Sequence, residues 1–370
     1  MNPLHTGKKK KPALNGVLLP PLTGLYVYHP LRKVNAGALK KNITVPCYLL
    51  NYMILLLERV VMGRILDKYS ENAEAIINNG SCYDFVKTIP DKSVKLVITS
   101  PPYNLGKKYE KKSSLKEYYN KQEEIIDECI RTLSDDGSIC WQIGNFVENS
   151  EIVPLDIFLY PIFQKHNLKL RNRIVWEFGH GLHASKRFSG RYETILWFTK
   201  NGKYTFNLDS VRIPQKYPNK KYFKGPRIGK LSCNPLGKNP SDIWDIPNVK
   251  NNHVEKTIHP CQFPIELVER LILALTNESD LVFDPFLGVG STIAAAVKNK
   301  RRGMGCEIFE EYCDIAKERT KLAMNGKLKT RPMNKPIYDP KNPKINLEYE
   351  ENKERQLILL NKAPAYGIAK

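Results

Sequence analysis

The chain lacks any pair of cysteines in C-x-x-C spacing, although it has eight cysteines among 370 residues. Zinc ribbons and zinc fingers depend on such pairs, so the sequence predicts no metal site. A chain of this length can bury a core without disulfide bonds. Single, scattered cysteines therefore favour a reduced, cytoplasmic protein over a disulfide-stabilised secreted one.

Long apolar runs are also missing. The longest, "VPCYLLNYMILLL" at residues 45–57, has an asparagine inside its 13 residues. A helix needs about 20 apolar residues to cross a bilayer. The run also begins too far from residue 1 for a secretion signal. We predict no membrane partner.

Acidic residues are scarce, with 38 Asp and Glu against 58 Lys and Arg and a net charge of +20. A field of this sign attracts a polyanion, and it favours nucleic acid as the partner. A lysine-rich composition without any partner is the alternative.

Charge and proline content divide the chain into three parts. Residues 1–61 carry nine basic residues and one acid. They predict a basic N-terminal extension that is disordered or precedes the true start at Met62, with a DNA-binding arm as the alternative. Residues 62–325 form the predicted folded domain, with an insertion at about 205–255. Residues 326–370 are proline-rich and predict a C-terminal tail.

Strand and helix patterns alternate along the folded domain, which predicts an α/β protein with a mostly parallel, doubly wound sheet. Residues 94–99 read as a strand, and residues 114–133 read as a helix closed by a turn at "SDDG". The segment "EIVPLDIFLYPIFQKH" reads as one helix interrupted by proline.

A glycine turn follows a buried strand in "LVFDPFLGVGSTIAAA". Gly288 and Gly290 allow a ligand to approach the backbone closely. A phosphate-binding loop would need a lysine after Gly290, and Ile293 occupies the third small position of a dinucleotide fingerprint. Glu307, at the end of the next predicted strand, suits the two hydroxyls of a ribose. S-adenosylmethionine, an adenosine without pyrophosphate, fits this pattern; a purely structural turn is the alternative.

A second strand ends on a proline elbow in "LVITSPPYNLG". Prolines lack N–H groups and hold the chain extended, so the Ser100 hydroxyl and a neighbouring carbonyl remain available as acceptors. Tyr103 adds a stacking face, and Asn104 adds an amide. Two acceptors and an aromatic face suit the exocyclic amine of a nucleobase.

Together, "TSPPYN" and the later "DPFLGVGST" resemble the β-class DNA amino-methyltransferases of the type II restriction–modification kind. The resemblance covers about residues 79–312. It implies a Rossmann-like S-adenosylmethionine-dependent methyltransferase fold, in which the domain at 62–325 is catalytic and the insertion recognises the target. The predicted catalytic residues are Ser100, Pro101, Pro102, Tyr103 and Asn104.

The resemblance also assigns the cofactor-binding residues. In the glycine turn and the next strand these are Asp284, Pro285, Phe286, Gly288, Gly290, Ser291, Thr292 and Glu307. By resemblance, "HPCQFPIELVERLI" adds four residues near the methionine end of the cofactor, namely His259, Pro260, Phe263 and Pro264. Ser81 follows Gly80 where the family often has an acid, and Asp84 is a possible substitute.

Two basic segments predict the DNA contacts. Between residues 210 and 241 the chain has eight Lys or Arg, no acid, and three interleaved aromatic residues. Residues 179–193 form a second basic, glycine-rich loop, which in this class tends to lie near the flipped base. Merely solvated loops are the alternative. The candidate DNA-binding residues are His183, Lys186, Arg187, Phe188, Lys220, Lys221, Lys224 and Arg227.

The predicted function is site-specific methylation of the cytosine N4 amine in double-stranded DNA. By resemblance, serine at the first position of the tetrapeptide is commoner among N4-cytosine enzymes than among N6-adenine enzymes. The alternatives are an N6-adenine DNA methyltransferase, an enzyme acting on RNA or a protein glutamine, and a non-catalytic DNA-binding protein. The expected setting is the cytoplasm of a bacterium, an archaeon or a phage host. We expect a monomer or homodimer, with a cognate restriction endonuclease acting separately.

Overall fold

The computed structural model describes residues 65–106, 110, 112–179, 181 and 183–337. The predicted extension at 1–61 and the tail beyond residue 337 lie outside these ranges. The strands are β1 (Ile65–Leu66), β2 (Ala75–Asn79), β3 (Val94–Thr99), β4 (Leu133–Ile143), β5 (Asn145–Glu148), β6 (Glu151–Pro154), β7 (Lys169–Glu177), β8 (Tyr192–Thr199), β9 (Ile243–Asp245), β10 (Leu281–Asp284) and β11 (Arg302–Glu307). The helices are α1 (Cys82–Lys87), α2 (Leu115–Thr132), α3 (Leu155–Lys165), α4 (Ile265–Leu275), α5 (Ser291–Lys298) and α6 (Glu310–Met324).

Nine strands form one sheet in the order β1-β2-β11-β10-β3-β4-β8-β7-β9. Neighbouring strands run parallel except around β8, which is antiparallel to both β4 and β7. Strands β5 and β6 form a separate hairpin. The predicted α/β class with a mostly parallel sheet is confirmed.

The sheet is buried on both faces, which explains why its central strands read as continuous apolar runs. Every residue of β3 is buried. Val97 packs on one face in a cluster with residues of α1, α2 and α3. Leu96 and Ile98 pack on the other face with residues of α4, α5 and α6. Side chains of β3 thus contribute to a hydrophobic core on each face of the sheet, because successive side chains of a strand point to opposite faces.

Helix α2 begins where the sequence predicts because Ser114 caps it. The Ser114 hydroxyl accepts a hydrogen bond from the backbone N–H of Glu117, and the Glu117 carboxylate accepts one from the N–H of Ser114. This reciprocal pair satisfies two amides that the helix leaves free. The same bonds lower the pKa of Glu117.

Two element predictions are wrong. The "SDDG" segment is not a turn, because β4 continues through it with a register shift against β3. An ion pair between Lys95 and Asp136, with 2.6 Å between Nζ and Oδ2, ties this segment to β3. The predicted helix from residue 151 begins only at Leu155, because residues 151–154 pair with β5.

The segment between β8 and α4, where the sequence predicts an insertion, contains a basic finger, defined as residues 213–238. Antiparallel bridges join Ile213 to Lys238 and Lys221 to Leu231. Among the described residues, no helix is long and apolar enough to span a bilayer.

Candidate active site

The two motif loops leave the sheet side by side. Strands β3 and β10 are parallel neighbours, with Leu96 opposite Val282 and Val97 opposite Phe283. The SPPY loop (residues 100–103) follows β3, and the glycine turn (residues 285–290) follows β10. Both loops therefore lie at the carboxyl end of the sheet, where open α/β folds bind ligands.

Asp284 ties these two loops together from below. Its Oδ1 accepts hydrogen bonds from Thr99 Oγ1 at 2.6 Å and from the Phe286 amide at 3.1 Å. Its Oδ2 accepts one from Thr292 Oγ1 at 2.6 Å. Asp284 and Thr292 are fully buried, and burial raises the pKa of Asp284 to about 6. The carboxyl group joins the end of β3, the glycine turn and the start of α5.

A cavity opens above this tie and holds about 1010 Å³ of empty space, open solvent at its mouth included. Both motif loops line it. From the predicted catalytic set it is lined by Ser100, Pro101, Pro102 and Tyr103. From the predicted cofactor set it is lined by His259, Phe263, Pro285, Phe286, Gly288, Ser291 and Glu307.

The remaining predicted residues do not line the cavity. Asp284 and Thr292 lie below it, and Gly290 and Pro264 are the N-cap residues of α5 and α4. Gly290 has φ +77°, and a Cβ there would lie 2.8 Å from that of Ala316, so glycine is required by packing. Pro260 is exposed.

Asn104 makes a different contact from the one expected. Its Nδ2 donates to the Ser113 carbonyl at 2.7 Å, and its Oδ1 accepts from the Ser113 amide at 2.7 Å. The backbone amide of Asn104 also donates to Glu110 Oε2 at 2.8 Å. The side chain is buried. Both ends of the amide therefore brace the chain after the SPPY loop, in place of the predicted contact with a base.

Glu307 closes the glycine turn from the neighbouring strand. Its Oε2 accepts from the Gly288 amide at 3.0 Å, and its Oε1 accepts from the Phe309 amide at 3.0 Å. Burial raises the pKa of Glu307. Gly288 has φ +54°, and a Cβ there would lie 3.5 Å from the ring of His259. The half-buried carboxylate and the open backbone face the same cavity.

Part of the cavity lining is aromatic and apolar. His259 packs edge-on against Tyr312, with 4.7 Å between ring centroids. Ile308 and Phe309 line the cavity and remain 60% and 39% exposed. Ser81 and Tyr83 also line the cavity, whereas Asp84 is exposed and does not line it.

Sequence reasoning missed Arg319, which braces the glycine turn from α6. Its Nη1 donates to the Val289 carbonyl at 2.5 Å and to Ser291 Oγ at 3.2 Å. The guanidinium is buried, and burial lowers the pKa of Arg319 to about 10. The available signal was a charged residue on the buried face of α6, beside Ala316 and Ala323.

The reasoning also missed the residues that hold Tyr103. Its hydroxyl lies 2.9 Å from Ser100 Oγ and donates to Glu193 Oε2 at 3.0 Å. Its ring lies on Gly144, where a Cβ would come within 3.0 Å of the Tyr103 Cε2 atom. Burial and the Glu193 charge raise the pKa of Tyr103 well above its ordinary value. The phenol therefore stays protonated and available as a donor.

All eight candidate DNA-binding residues are exposed. Phe188, in the loop before β8, is 99% exposed, and Tyr217 and Phe223 of the basic finger are 64% and 76% exposed. Lys224 Nζ lies 5.5 Å from the centroid of the Phe223 ring. Cations and uncovered aromatic rings thus share these surfaces.

The sequence is similar to those of known DNA methyltransferases. A family model described as DNA methylase matches residues 94–318. The chain is 51% identical over 241 residues to the type II methyltransferase M.BglII of Bacillus subtilis, covering 65% of this chain and 67% of that protein. It is 39% identical over 256 residues to the type II methyltransferase M.ScaI of Streptomyces caespitosus, covering 67% and 82%.

The fold resembles a solved structure as well. The PvuII DNA methyltransferase, described as cytosine-N4-specific, aligns with a TM-score of 0.55 and 19% identity, covering 79% of this chain and 95% of that one. At this identity the likeness concerns the fold. It confirms the predicted methyltransferase architecture.

Proposed function

The chain belongs to the DNA methylase family, and from this premise we propose that it methylates the exocyclic N4 amine of cytosine in double-stranded DNA at a specific site. It is a DNA methyltransferase of the type II restriction–modification kind. The observation that carries the proposal is the shared cavity, which exposes Ser100 and Tyr103 beside Gly288 and Glu307.

The cavity fits S-adenosylmethionine, which supplies a methyl group on a positively charged sulfur. The Glu307 carboxylate lies in the cavity and would accept hydrogen bonds from ribose hydroxyls. Ile308 and Phe309 offer uncovered apolar surface that suits an adenine ring. The Gly288 backbone gives the ligand close access.

The residues of the SPPY loop would hold the target base. The Ser100 hydroxyl and the Pro101 carbonyl would accept hydrogen bonds from the two N–H groups of the amine. This grip favours a nitrogen whose lone pair points toward the methyl group, which is catalysis by positioning and electrostatics. The ring of Tyr103 would stack on the base once it has left the duplex.

Cytosine is proposed because residue 100 is serine. In the family that the sequence resembles, aspartate at this position is commoner among N6-adenine enzymes. The same two acceptors would also hold an adenine amine, which makes N6-methyladenine the competing outcome. We place the reaction in the cytoplasm, where an endonuclease of matching specificity would act separately.

Nucleoside analysis tests the proposal. Purified protein is incubated with duplex DNA and isotope-labelled S-adenosylmethionine, and the DNA is digested for mass spectrometry. We expect labelled N4-methylcytosine, with no label in an RNA of the same sequence. Labelled N6-methyladenine would move the target to adenine. No labelled nucleoside would contradict both readings.

A second prediction concerns the basic finger. Replacing Lys220 and Lys221 by alanine should weaken DNA binding, because each lysine that contacts a phosphate releases counterions. The slope of log affinity against log salt should become shallower by about 0.9 per lost phosphate contact. Fluorescence anisotropy across a salt series measures this slope. The variant Lys327→Ala/Lys329→Ala removes the same charge at exposed sites outside the finger and should leave the slope unchanged.

A further inference from the structure

Glu193 lies beside the SPPY loop and accepts a hydrogen bond from Tyr103, but it has no role yet in the proposed reaction. It lies in β8, whose antiparallel pairing with β4 sets Thr194 opposite Ile143. Gly144, the residue that follows β4, is therefore close to Glu193, and a Cβ at Gly144 would lie 3.6 Å from Glu193 Cγ. This register brings a carboxylate from the strand two places away to the end of β3.

Four side chains form one hydrogen-bonded chain at this point. Ser100 Oγ is 2.9 Å from Tyr103 Oη, and Tyr103 Oη is 3.0 Å from Glu193 Oε2. Gln142 Nε2 lies 2.5 Å from Glu193 Oε2 and 3.2 Å from Tyr103 Oη. The chain leads from a buried strand end to the hydroxyl that lines the cavity.

The chemistry of the four groups fixes the direction of each bond. An ionised carboxylate only accepts, so the Tyr103 hydroxyl must give its single proton to Glu193. The Gln142 amide only donates from Nε2, so it donates to both Glu193 and Tyr103. The Tyr103 oxygen keeps one further acceptor position, which the Ser100 hydroxyl fills as the donor. Ser100 thus donates its only hydroxyl hydrogen to Tyr103, and its lone pairs remain available to accept hydrogen bonds from a ligand in the cavity.

We propose that Glu193 is a positioning residue for methyl transfer, which orients the Tyr103 and Ser100 hydroxyls so that Ser100 meets the base as an acceptor. The inference rests on the proposed function, in which the base presents an amine. An acceptor at Ser100 selects an N–H group and disfavours a carbonyl oxygen or an unprotonated ring nitrogen at the same place. Glu193 would thereby determine specificity for an amine without touching the base.

The substitution Glu193→Gln would no longer fix the direction of the hydrogen bonds that join Ser100, Tyr103 and residue 193. Its amide nitrogen can donate to the Tyr103 oxygen, which frees the Tyr103 proton to point at Ser100. Ser100 could then direct its own proton into the cavity, where it would oppose the N–H of the amine. We expect Glu193→Gln to lower kcat by about 10- to 100-fold. The KM values for DNA and for S-adenosylmethionine should change less than about twofold, because the change acts on alignment.

A double-mutant cycle tests whether Glu193 acts through Tyr103. The variants are Glu193→Gln, Tyr103→Phe and the double variant, assayed on whichever base the wild type methylates. In the Tyr103→Phe background, which has no hydroxyl to orient, Glu193→Gln should have almost no further effect on kcat. Glu177→Gln is the matched control, since it makes the same change at an exposed acid on neighbouring β7 and should retain wild-type kcat.

A spectroscopic measurement makes the test independent of methylation. Protein labelled with ¹³Cζ-tyrosine is titrated by NMR without DNA or cofactor, and the Tyr103 signal is identified by its loss in Tyr103→Phe. Because the Glu193 charge contributes to the raised pKa of Tyr103, Glu193→Gln should let Tyr103 ionise at lower pH. If Glu193→Gln does not fold, Glu193→Asp, which keeps the charge but withdraws it, takes its place in both measurements.

The outcomes separate the inference from the function. An equal loss of kcat from Glu193→Gln in both backgrounds, or a loss carried by KM, would overturn the role of Glu193 while methylation itself stands. An unchanged Tyr103 titration would do the same. Failure of the wild type to methylate any nucleoside would refute the proposed function, and the titration would still report on the hydrogen-bonded chain.

Discussion

Ser100→Ala is expected to lower kcat by about 100- to 1000-fold, the usual cost of removing one preorganised polar group from a transition state. The hydroxyl lines the cavity and is oriented through Tyr103. Without it the amine keeps one acceptor, and its lone pair is no longer aimed at the methyl group. Single-turnover kinetics with labelled cofactor measures the chemical step directly.

Cofactor binding gives the control for this prediction. Ser100→Ala should bind S-adenosylmethionine with an affinity within about twofold of that of the wild type, because Ser100 belongs to the SPPY loop and the proposed cofactor contacts come from the glycine turn and Glu307. Calorimetry measures this affinity. Glu307→Ala should show the reverse pattern, with affinity reduced at least about tenfold because a ribose ligand and the acceptor for the Gly288 amide are both lost. Normal turnover in Ser100→Ala would refute the proposed grip on the amine.

Among the substitutions proposed here, Asp284→Ala should cause the largest decrease in the free energy of unfolding. The change leaves the fully buried hydroxyls of Thr99 and Thr292 and the partly buried amide of Phe286 without their acceptor. Each unpaired buried group costs about 1–3 kcal/mol, so losing the three bonds should lower the free energy of unfolding by at least about 3 kcal/mol. Urea denaturation measures the loss, and Thr292→Val, which removes one of the three bonds, should cost less than half as much.

The loss should also depend on pH. Burial raises the pKa of Asp284 from 3.8 to about 6 in the folded protein. The folded state therefore holds this proton at pH values where the unfolded chain has released it. The contribution of this proton to the free energy of unfolding is complete below about pH 4 and is lost as the pH rises through about 6. The wild type should exceed Asp284→Ala by about 2 kcal/mol more at pH 4.5 than at pH 7.5. A constant difference across this range would contradict a protonated Asp284.

Local patterns were enough to predict the elements that carry the site. Strand β3 occupies residues 94–99 as predicted, because a run of β-prone residues stops at proline. The strand-to-helix turn at Gly288 and Gly290 was equally predictable, since both residues have positive φ values, which glycine adopts without strain. The two loops line one cavity because β3 and β10 pair directly.

The contacts that orient the site could not be read in the same way. Asp284 was assigned to the ligand, but the pleat of β10 turns its carboxyl group toward Thr99 and Thr292. Gln142 and Glu193 meet Tyr103 only through the antiparallel register of β8, and the strand pattern carries no sign of register or direction. Pairings between residues that are distant in the sequence decide which side chains face the cavity and which ones hold those side chains in place.

The position of β10 has a consequence for synthesis of the protein. This strand lies between β3 and β11, although it follows β3 in the chain by nearly half the sequence. While the chain emerges from a ribosome, the SPPY loop exists long before residues 281–307 can complete the sheet beside it. A chain interrupted before residue 281 would lack the glycine turn that lines the cavity, so the proposed methyl transfer would require the completed chain.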